Sequence, residues 1–390
     1  MELRDAPQEE RFRLDLREWL AANLPEGWGT VDWREPHDRT AFLREWSHRL
    51  YEAGFVGISW PEEYGGRGLP LTFQAIAYEE FARAEAPEHV GLIGIGMAGP
   101  TIINAGTDDQ KRKYLRKILT GEEVWCQGFS EPGSGSDLAS LQTRAEADGD
   151  GWRITGQKVW SSFAHLADRC ILLARTDPRA PKHQGITYFL VDMHHPGVEV
   201  RPLRQITGEA EFNEIFLDGV HVPADDVVGQ VNRGWEVAIT TLMHERAGAA
   251  FMLGGFLEAR FRRLVNLARE APRDGGVAAD DPVVRDGIAR LLEDVQALRF
   301  TNYRALSEVM KEGVPGPEGS IAKLHWSETN QRLTRFALDL LGAEAALGPG
   351  GRTAWQHQQL RSRGNTIEGG TSEILRNIIA ERVLGLPKSR

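Results

Sequence analysis

Changes of residue periodicity predict an α+β multidomain chain: an N-terminal all-helical domain, a middle antiparallel β-barrel or sandwich, and a C-terminal four-helix bundle. Across residues 1–123 the apolar side chains recur at three- and four-residue spacing. Across 124–232 they gather in short runs separated by Gly, Asp and Pro. From 233 to 390 the helical period returns and is sustained over long segments. The 390 residues exceed what one hydrophobic core usually organises, so more than one domain is expected.

In the first domain, Phe12, Leu16, Trp19, Leu20 and Leu24 form one stripe of a helix over 7–24. Phe42, Trp46 and Leu50 lie four apart in a second helix, with Gly54 where a C-terminal cap would stand. The run from Trp60 to Gly68, with Gly65, Gly66 and Pro61 inside it, reads as an ordered loop. Helices over 72–84 and 100–105 follow, and Thr107 with Gln110 has capping-box spacing ahead of a helix reaching Leu119. In the second domain, strands are expected at 152–155, 170–174, 186–191, 198–200 and 212–217, with Asp148-Gly149-Asp150-Gly151 as a hairpin connection. In the third, a helix over 235–270 precedes one opened by Asp281-Pro282, an N-cap with Pro at the first helical position. A third helix over 320–341 and a fourth from Thr371-Ser372, carrying Ile374, Leu375, Ile378, Ile379 and Val383, complete the bundle.

A content of 41% hydrophobic and 26% charged residues is that of an ordinary globular protein. The net charge of −10 argues against a broad nucleic-acid surface, while a local cationic groove for a phosphate-bearing ligand stays compatible with it. Cys126 and Cys170 have neither metal-ligand nor redox spacing, so a reduced compartment is expected, without disulfide or metal site. The N-terminal residues lack an apolar targeting core and no run reaches membrane-span length. No membrane insertion and a cytoplasmic location are therefore expected.

The chemistry concentrates in Phe129-Ser-Glu-Pro-Gly-Ser-Gly-Ser-Asp137 and in Lys158-Val-Trp-Ser-Ser162. Glycines, hydroxyls and a Pro-stiffened turn make a loop whose backbone N–H groups can face an anion or an electron-rich ring. Gly369-Gly370-Thr371-Ser372, at the start of the last helix, offers free N–H groups and the positive end of a helix dipole. A polar surface loop and a plain N-cap are the simpler readings of these two stretches. A serine hydrolase is set aside, because Gly128-Phe-Ser-Glu-Pro132 lacks the second glycine of a nucleophile elbow.

The order of these motifs, together with Gly57-Ile-Ser-Trp-Pro-Glu-Glu-Tyr-Gly-Gly66 and the closing Ile379-Ala-Glu-Arg-Val-Leu-Gly-Leu-Pro387, resembles the acyl-CoA dehydrogenase family over essentially the whole chain. The resemblance implies a flavoprotein, usually a homotetramer or dimer of dimers, that holds FAD and dehydrogenates an acyl-CoA to the 2,3-trans-enoyl-CoA. Electrons would pass to an electron-transfer flavoprotein. It implies flavin contacts from Phe129, Ser130, Gly135, Ser136 and Ser162, with Trp160 over a flavin face. A flavin needs such donors at its ring because negative charge builds there on reduction. The simpler reading of Trp160 is a core tryptophan of the β domain, and both can hold at once. Ser136 also matches a pantetheine contact, and Met243, Arg246 and Gly370 are expected at the substrate. Thr371 and Glu373 would touch FAD. Asp339, Gly342 and Ala343 would meet its ADP portion from a neighbouring subunit, and Arg273 its diphosphate, although Arg273-Asp-Gly-Gly departs from the family's Arg-x-x-Phe-Gly.

Removal of a proton α to a thioester calls for a carboxylate in a dry pocket. Most family members carry that glutamate where this chain has Gly369. A minority carry it on the first bundle helix before an arginine, which His244-Glu245-Arg246 reproduces. Glu245 is therefore the preferred base and Glu368 the alternative. The departure at 369 also leaves open a non-catalytic FAD-binding subunit of a hetero-oligomer. An oxidase or flavin monooxygenase of the same family is a further alternative. Acyl chain length and branching are not encoded in any motif.

Overall fold

A computed structural model describes residues 5–25, 28, 36–312, 316–346 and 354–388. The first helices are α1 (Pro7–Asn23), α2 (Pro36–Glu52), α3 (Leu71–Arg83), α4 (Gly99–Ala105) and α5 (Asp108–Thr120). The strands β1 (Trp125–Gly128), β2 (Arg144–Asp148), β3 (Gly151–Ser162), β4 (Arg169–Arg175), β5 (Ile186–Asp192), β6 (Val198–Leu203), β7 (Phe212–Pro223) and β8 (Val227–Val228) follow. The chain then forms α6 (Gly234–Glu270), a small hairpin of β9 (Pro272–Arg273) and β10 (Gly276–Val277), α7 (Pro282–Glu312), α8 (Gly319–Leu341), α9 (Trp355–Asn365) and α10 (Ser372–Ile378). The succession of helices, strands and helices is the one expected.

Contacts group the chain into two compact units. One unit comprises 33–69 and 88–245. Among its described residues, eight strands form one sheet in the order β6-β7-β3-β2-β4-β5-β8, with β1 beside β4. Alternation along β3, β4 and β7 turns Ile154, Cys170, Leu172, Ile215 and Leu217 into one apolar cluster, which Val220 joins beyond a register irregularity in β7. Pairing between the strands is antiparallel except for β1, which runs parallel to β4, and a parallel bridge from Arg144 of β2 to Arg175 of β4; Ile186 of β5 also forms an isolated parallel bridge with Arg233. The connection at 148–151 joins β2 to β3 as expected, with Gly149 at φ +62°. Thr107 and Gln110 cap α5 reciprocally: the Thr107 hydroxyl accepts from Gln110 N–H at 3.2 Å and Gln110 Oε1 accepts from Thr107 N–H at 3.0 Å. The loop around Trp60 is packed rather than loose. A Cβ added to Gly99 would fall 2.0 Å from the Trp60 ring, so α4 has to present a glycine there.

The other unit comprises 1–32, 70–87 and 246–390. Its apolar cluster joins Leu257, Phe261 and Leu264 of α6, Leu291, Val295 and Leu298 of α7, Trp326 and Leu333 of α8, and Trp355 of α9. Helix α9 adds to the four bundle helices read from the sequence. Its buried positions Gln359, Ser362 and Asn365 are polar, so no apolar stripe announces it. The last helix is shorter than its apolar spacing implies: α10 gives way to a π-helical turn over Ile379–Val383. Among the described residues no helix is long and apolar enough to cross a membrane.

Candidate active site

The expected flavin-facing residues of the first unit fall on one loop and one strand. Phe129 is buried, with its ring edge-on to Tyr188 at 5.9 Å between centroids, and Ser130 is half-buried. The loop folds back on itself through paired backbone bonds between Glu131 and Ser134 at 2.9 and 3.0 Å. Gly135 and Ser136 are exposed, and Cβ atoms added at Gly133 or Gly135 would meet nothing within 4 Å. Ser130 O accepts from Val159 N–H at 2.9 Å, which ties the loop to β3 beside Trp160.

On β3, the register against β7 shifts between Lys158 and Ser161, a bulge with one extra residue on β3. Trp160 takes a left-handed backbone, φ +62°, and is 62% exposed. The bulge turns its ring out of the sheet, edge-on to Phe212, so the core-tryptophan reading does not hold. Asn213, fully buried, secures the bulge by donating to Ser161 O at 3.0 Å. Ser162 ends the strand half-buried.

Beneath this loop lies an ion pair that the motif reading did not assign. Lys158 is completely buried and donates to Glu131 Oε1 at 2.8 Å and to Phe129 O at 3.1 Å. Burial pushes the Lys158 ammonium below its ordinary range, and the adjacent carboxylate offsets this. For Glu131, burial acts upward, yet Lys158 and the N–H groups of Thr143 and Gln142 hold the carboxyl below the usual range. The sequence did contain a signal: Ile154, Gly156 and Lys158 share strand parity, which places Lys158 on the inward face.

The amino-terminal end of α6 brings Met243, His244 and Glu245 into the same unit, all half-buried. His244 Nε2 accepts from Asn104 Nδ2 at 3.1 Å, and burial lowers its pKa, which favours the neutral ring. Arg246 belongs to α6, and its side chain lies outside the described residues.

In the other unit the turn before α10 is built from two glycines in left-handed backbone, Gly369 at φ +59° and Gly370 at φ +99°. Buried Lys323 of α8 donates to Asn365 O and Gly370 O, both at 2.8 Å, and so fixes the turn. Glu368 is half-buried and engaged by donors from α9. Arg361 reaches both of its oxygens, at 3.2 and 2.9 Å, and Asn365 Nδ2 donates to Oε1 at 2.7 Å. Thr371 caps α10 by accepting from Ile374 N–H at 3.3 Å, and Glu373 is exposed in the first turn.

Next to that turn is a cavity of about 670 Å³ lined by Arg332, Arg335, Arg363, Thr371, Glu373 and Arg376 among others. The Ser372 hydroxyl, in its lining, is buried and has no hydrogen-bond partner among the described residues. Guanidinium groups, three of them paired with Asp294, Asp339 and Glu328, together with a cap hydroxyl and an orphaned hydroxyl, offer donors to an anionic, hydroxyl-rich group such as a dinucleotide. Asp339, near the end of α8, accepts from Arg335 at 3.1 Å, and Gly342 and Ala343 follow it exposed. Arg273 lies at the small hairpin, paired with Asp281 at 2.8 Å.

Family models of the acyl-CoA dehydrogenase N-terminal, middle and C-terminal domains match residues 6–122, 126–220 and 232–384. The chain is 44% identical over 387 residues to acyl-CoA dehydrogenase IpdE1 of Mycobacterium tuberculosis, covering 97% of this chain and 98% of that protein. Among solved structures, a protein described as the Tcur3481-Tcur3483 steroid ACAD superposes with a TM-score of 0.85 at 32% identity, over 100% of both chains. The ChsE4-ChsE5 complex of Mycobacterium tuberculosis gives 0.84 at 31% identity, again over 100% of both chains. Full-length likeness to these enzymes, together with a glycine- and hydroxyl-rich loop on a bulged strand, leads to one conclusion: the chain belongs to the acyl-CoA dehydrogenase family of oxidoreductases.

Proposed function

We propose that this chain binds FAD and dehydrogenates a CoA thioester to its 2,3-trans-enoyl-CoA, with Glu245 as the base and a bulky, steroid-derived acyl group as substrate. The observation that carries the choice of base is the engagement of Glu368. A carboxylate whose oxygens are both engaged by one guanidinium, with an amide on one of them, has its lone pairs committed and is poorly placed to take a proton from carbon. Glu245 is the glutamate remaining at a position that matches a family pattern. Ser130, Gly135, Ser136, Trp160 and Ser162 would hold the flavin end of FAD. Thr371, Glu373 and the arginine-lined cavity would hold its phosphate-bearing part. FAD supplies the two-electron acceptor for the β-hydrogen. The protein's part is to bind the thioester, exclude water and remove the α-proton at Glu245. The steroid assignment is supported by the likeness to the steroid ACAD, and an electron-transfer flavoprotein is the expected acceptor.

A second reading is favoured by Gly369 and by the two-component names of the similar structures: the chain works as one of two related subunits. Anaerobic titration with a panel of fatty and steroid-derived acyl-CoAs, followed at the flavin absorbance, tests both. Wild type should bleach, best with steroid thioesters, and Glu245→Gln should slow bleaching about 1000-fold. Bleaching that survives Glu245→Gln and is lost in Glu368→Gln transfers the base to Glu368. FAD binding without bleaching by any thioester favours the two-subunit reading.

A further inference from the structure

We propose that Lys158 is a positioning residue for the flavin, acting through Glu131 and Phe129 O to lock the 129–137 loop onto the bulged end of β3. The inference rests on the FAD reading above and extends it below the binding surface.

A lysine with no exposed surface is uncommon, because taking an ammonium out of water costs more than one interior ion pair generally returns. Apolar residues of similar volume usually stabilise an interior as well or better. The position of this pair points to a role beyond stability. Lys158 binds Phe129 O and Glu131 Oε1, and Glu131 in turn accepts from Gln142 N–H at 2.7 Å and Thr143 N–H at 2.8 Å. Val159, the next residue, donates to Ser130 O. One charged pair thus fixes the start of the loop, the turn leading into β2 and the strand just before Trp160. Within the loop the Glu131–Ser134 backbone pair and the Ser134 hydroxyl, bonded to Asp137 O and Leu138 O, define the turn, while Asp137 at its far end is tied to Lys182 and Ser140. Its tip, around Gly133 and Gly135, touches nothing within Cβ reach. Without Lys158, Phe129 O loses its buried donor, Glu131 becomes a buried carboxylate without its counter-charge, and the amino-terminal end of the loop loses the ion pair that holds it against β3.

The test uses the full chain stripped of FAD: wild type, Lys158→Met, and the double variant Lys158→Met/Glu131→Gln, which leaves no unpaired interior charge and stands in if the single variant fails to fold. FAD affinity by fluorescence quenching and hydrogen exchange of the 129–137 peptide are read on protein with unchanged far-ultraviolet circular dichroism. Wild type should bind FAD, and each folded variant about 10-fold or more weakly, with faster exchange in 129–137 and unchanged exchange in β5. A folded variant with wild-type FAD affinity and wild-type loop exchange overturns the proposal. A role confined to sheet stability would lower the melting temperature and leave both readouts unmoved, which also overturns it. If wild type takes up no FAD, the flavin reading fails by itself, and the exchange measurement still decides whether Lys158 locks the loop.

Discussion

His89 illustrates how a single residue's surroundings set its titration. It is almost fully buried; Nδ1 accepts from Gly91 N–H at 2.9 Å, which leaves Nε2 to donate to Leu119 O at 3.1 Å. Both ring nitrogens are thereby committed to the neutral form, and burial draws the pKa down to about 4. The unfolded chain takes up this proton near the ordinary value of about 6.5. Between those two values the unfolded state binds more protons, so stability is complete above the upper one and falls as pH drops toward the lower. The loss assigned to His89 between about pH 7 and 5 is about 2 kcal/mol. Urea unfolding of wild type and His89→Gln at the two pH values should show a slope in wild type that is reduced by this amount in the variant. Equal slopes would mean that His89 does not remain neutral. The same dependence on partners explains which site residues were legible. Glu245 and Glu368 both stood out as candidate carboxylates. The partners that engage Glu368, Arg361 and Asn365, sit on a helix that hydropathy does not reveal.

Among the elements, those with apolar stripes were predictable and those with polar buried faces were not. Helix α9 buries Gln359, Ser362 and Asn365 besides Trp355, and these polar residues are bonded by Thr334, Asn330 and Lys323 of α8, hydrogen bonds that no periodicity plot registers. Strand β1 pairs parallel with β4, a partnership fixed by topology rather than by residues 125–128 themselves. Helix α3 conceals a similar feature. Phe73, Ile76, Ala77 and Glu80 are all buried at i, i+3, i+4 and i+7, so a carboxylate occupies the apolar stripe. Glu80 accepts from Arg17 at 2.7 and 2.9 Å, from Arg83 at 2.8 Å and from Arg13 at 2.9 Å, which fastens α1 to α3. Burial acts to raise its pKa, and these guanidinium bonds prevail and bring it down to about 2. Its contribution is present above the ordinary carboxylate value and is lost as pH falls through the depressed one. Glu80→Gln should cost about 3 kcal/mol at pH 7, measured by urea unfolding. The difference from wild type should shrink as the pH is lowered from about 5 toward 2. A variant within experimental error of wild type at pH 7 would show that α1 is held by the Phe12–Phe73 contact instead.

For the molecule as a whole, the grouping of segments sets a condition on folding that no single helix reveals. The unit containing the bundle draws on 1–32, 70–87 and 246–390, with the intervening segments belonging to the other unit. The C-terminal stretch carries the apolar cluster of α6, α7 and α8, which would seem sufficient for a bundle. Part of its surface is nevertheless built to receive α3. Gly255 of α6 lies so close that an added Cβ would come within 2.6 Å of Ala82 Cβ, and the Tyr303 hydroxyl of α7 donates to Glu79. Arg13 of α1 joins Glu79 at 2.9 Å, so α1 secures the helix that covers the bundle. Removing α1 and α3 uncovers the small-residue face at Gly255 and strips Tyr303 of its acceptor, which exposes apolar surface and a helix interior weakened by adjacent glycines at 254 and 255. A fragment of residues 246–390 should therefore melt broadly, about 10 °C or more below the full chain, and bind a hydrophobic dye. Scanning calorimetry with a dye-binding assay on the two proteins checks this. A fragment that melts sharply at the temperature of the full chain, without dye binding, would establish that the bundle is self-sufficient and that α1 and α3 merely rest on a finished core.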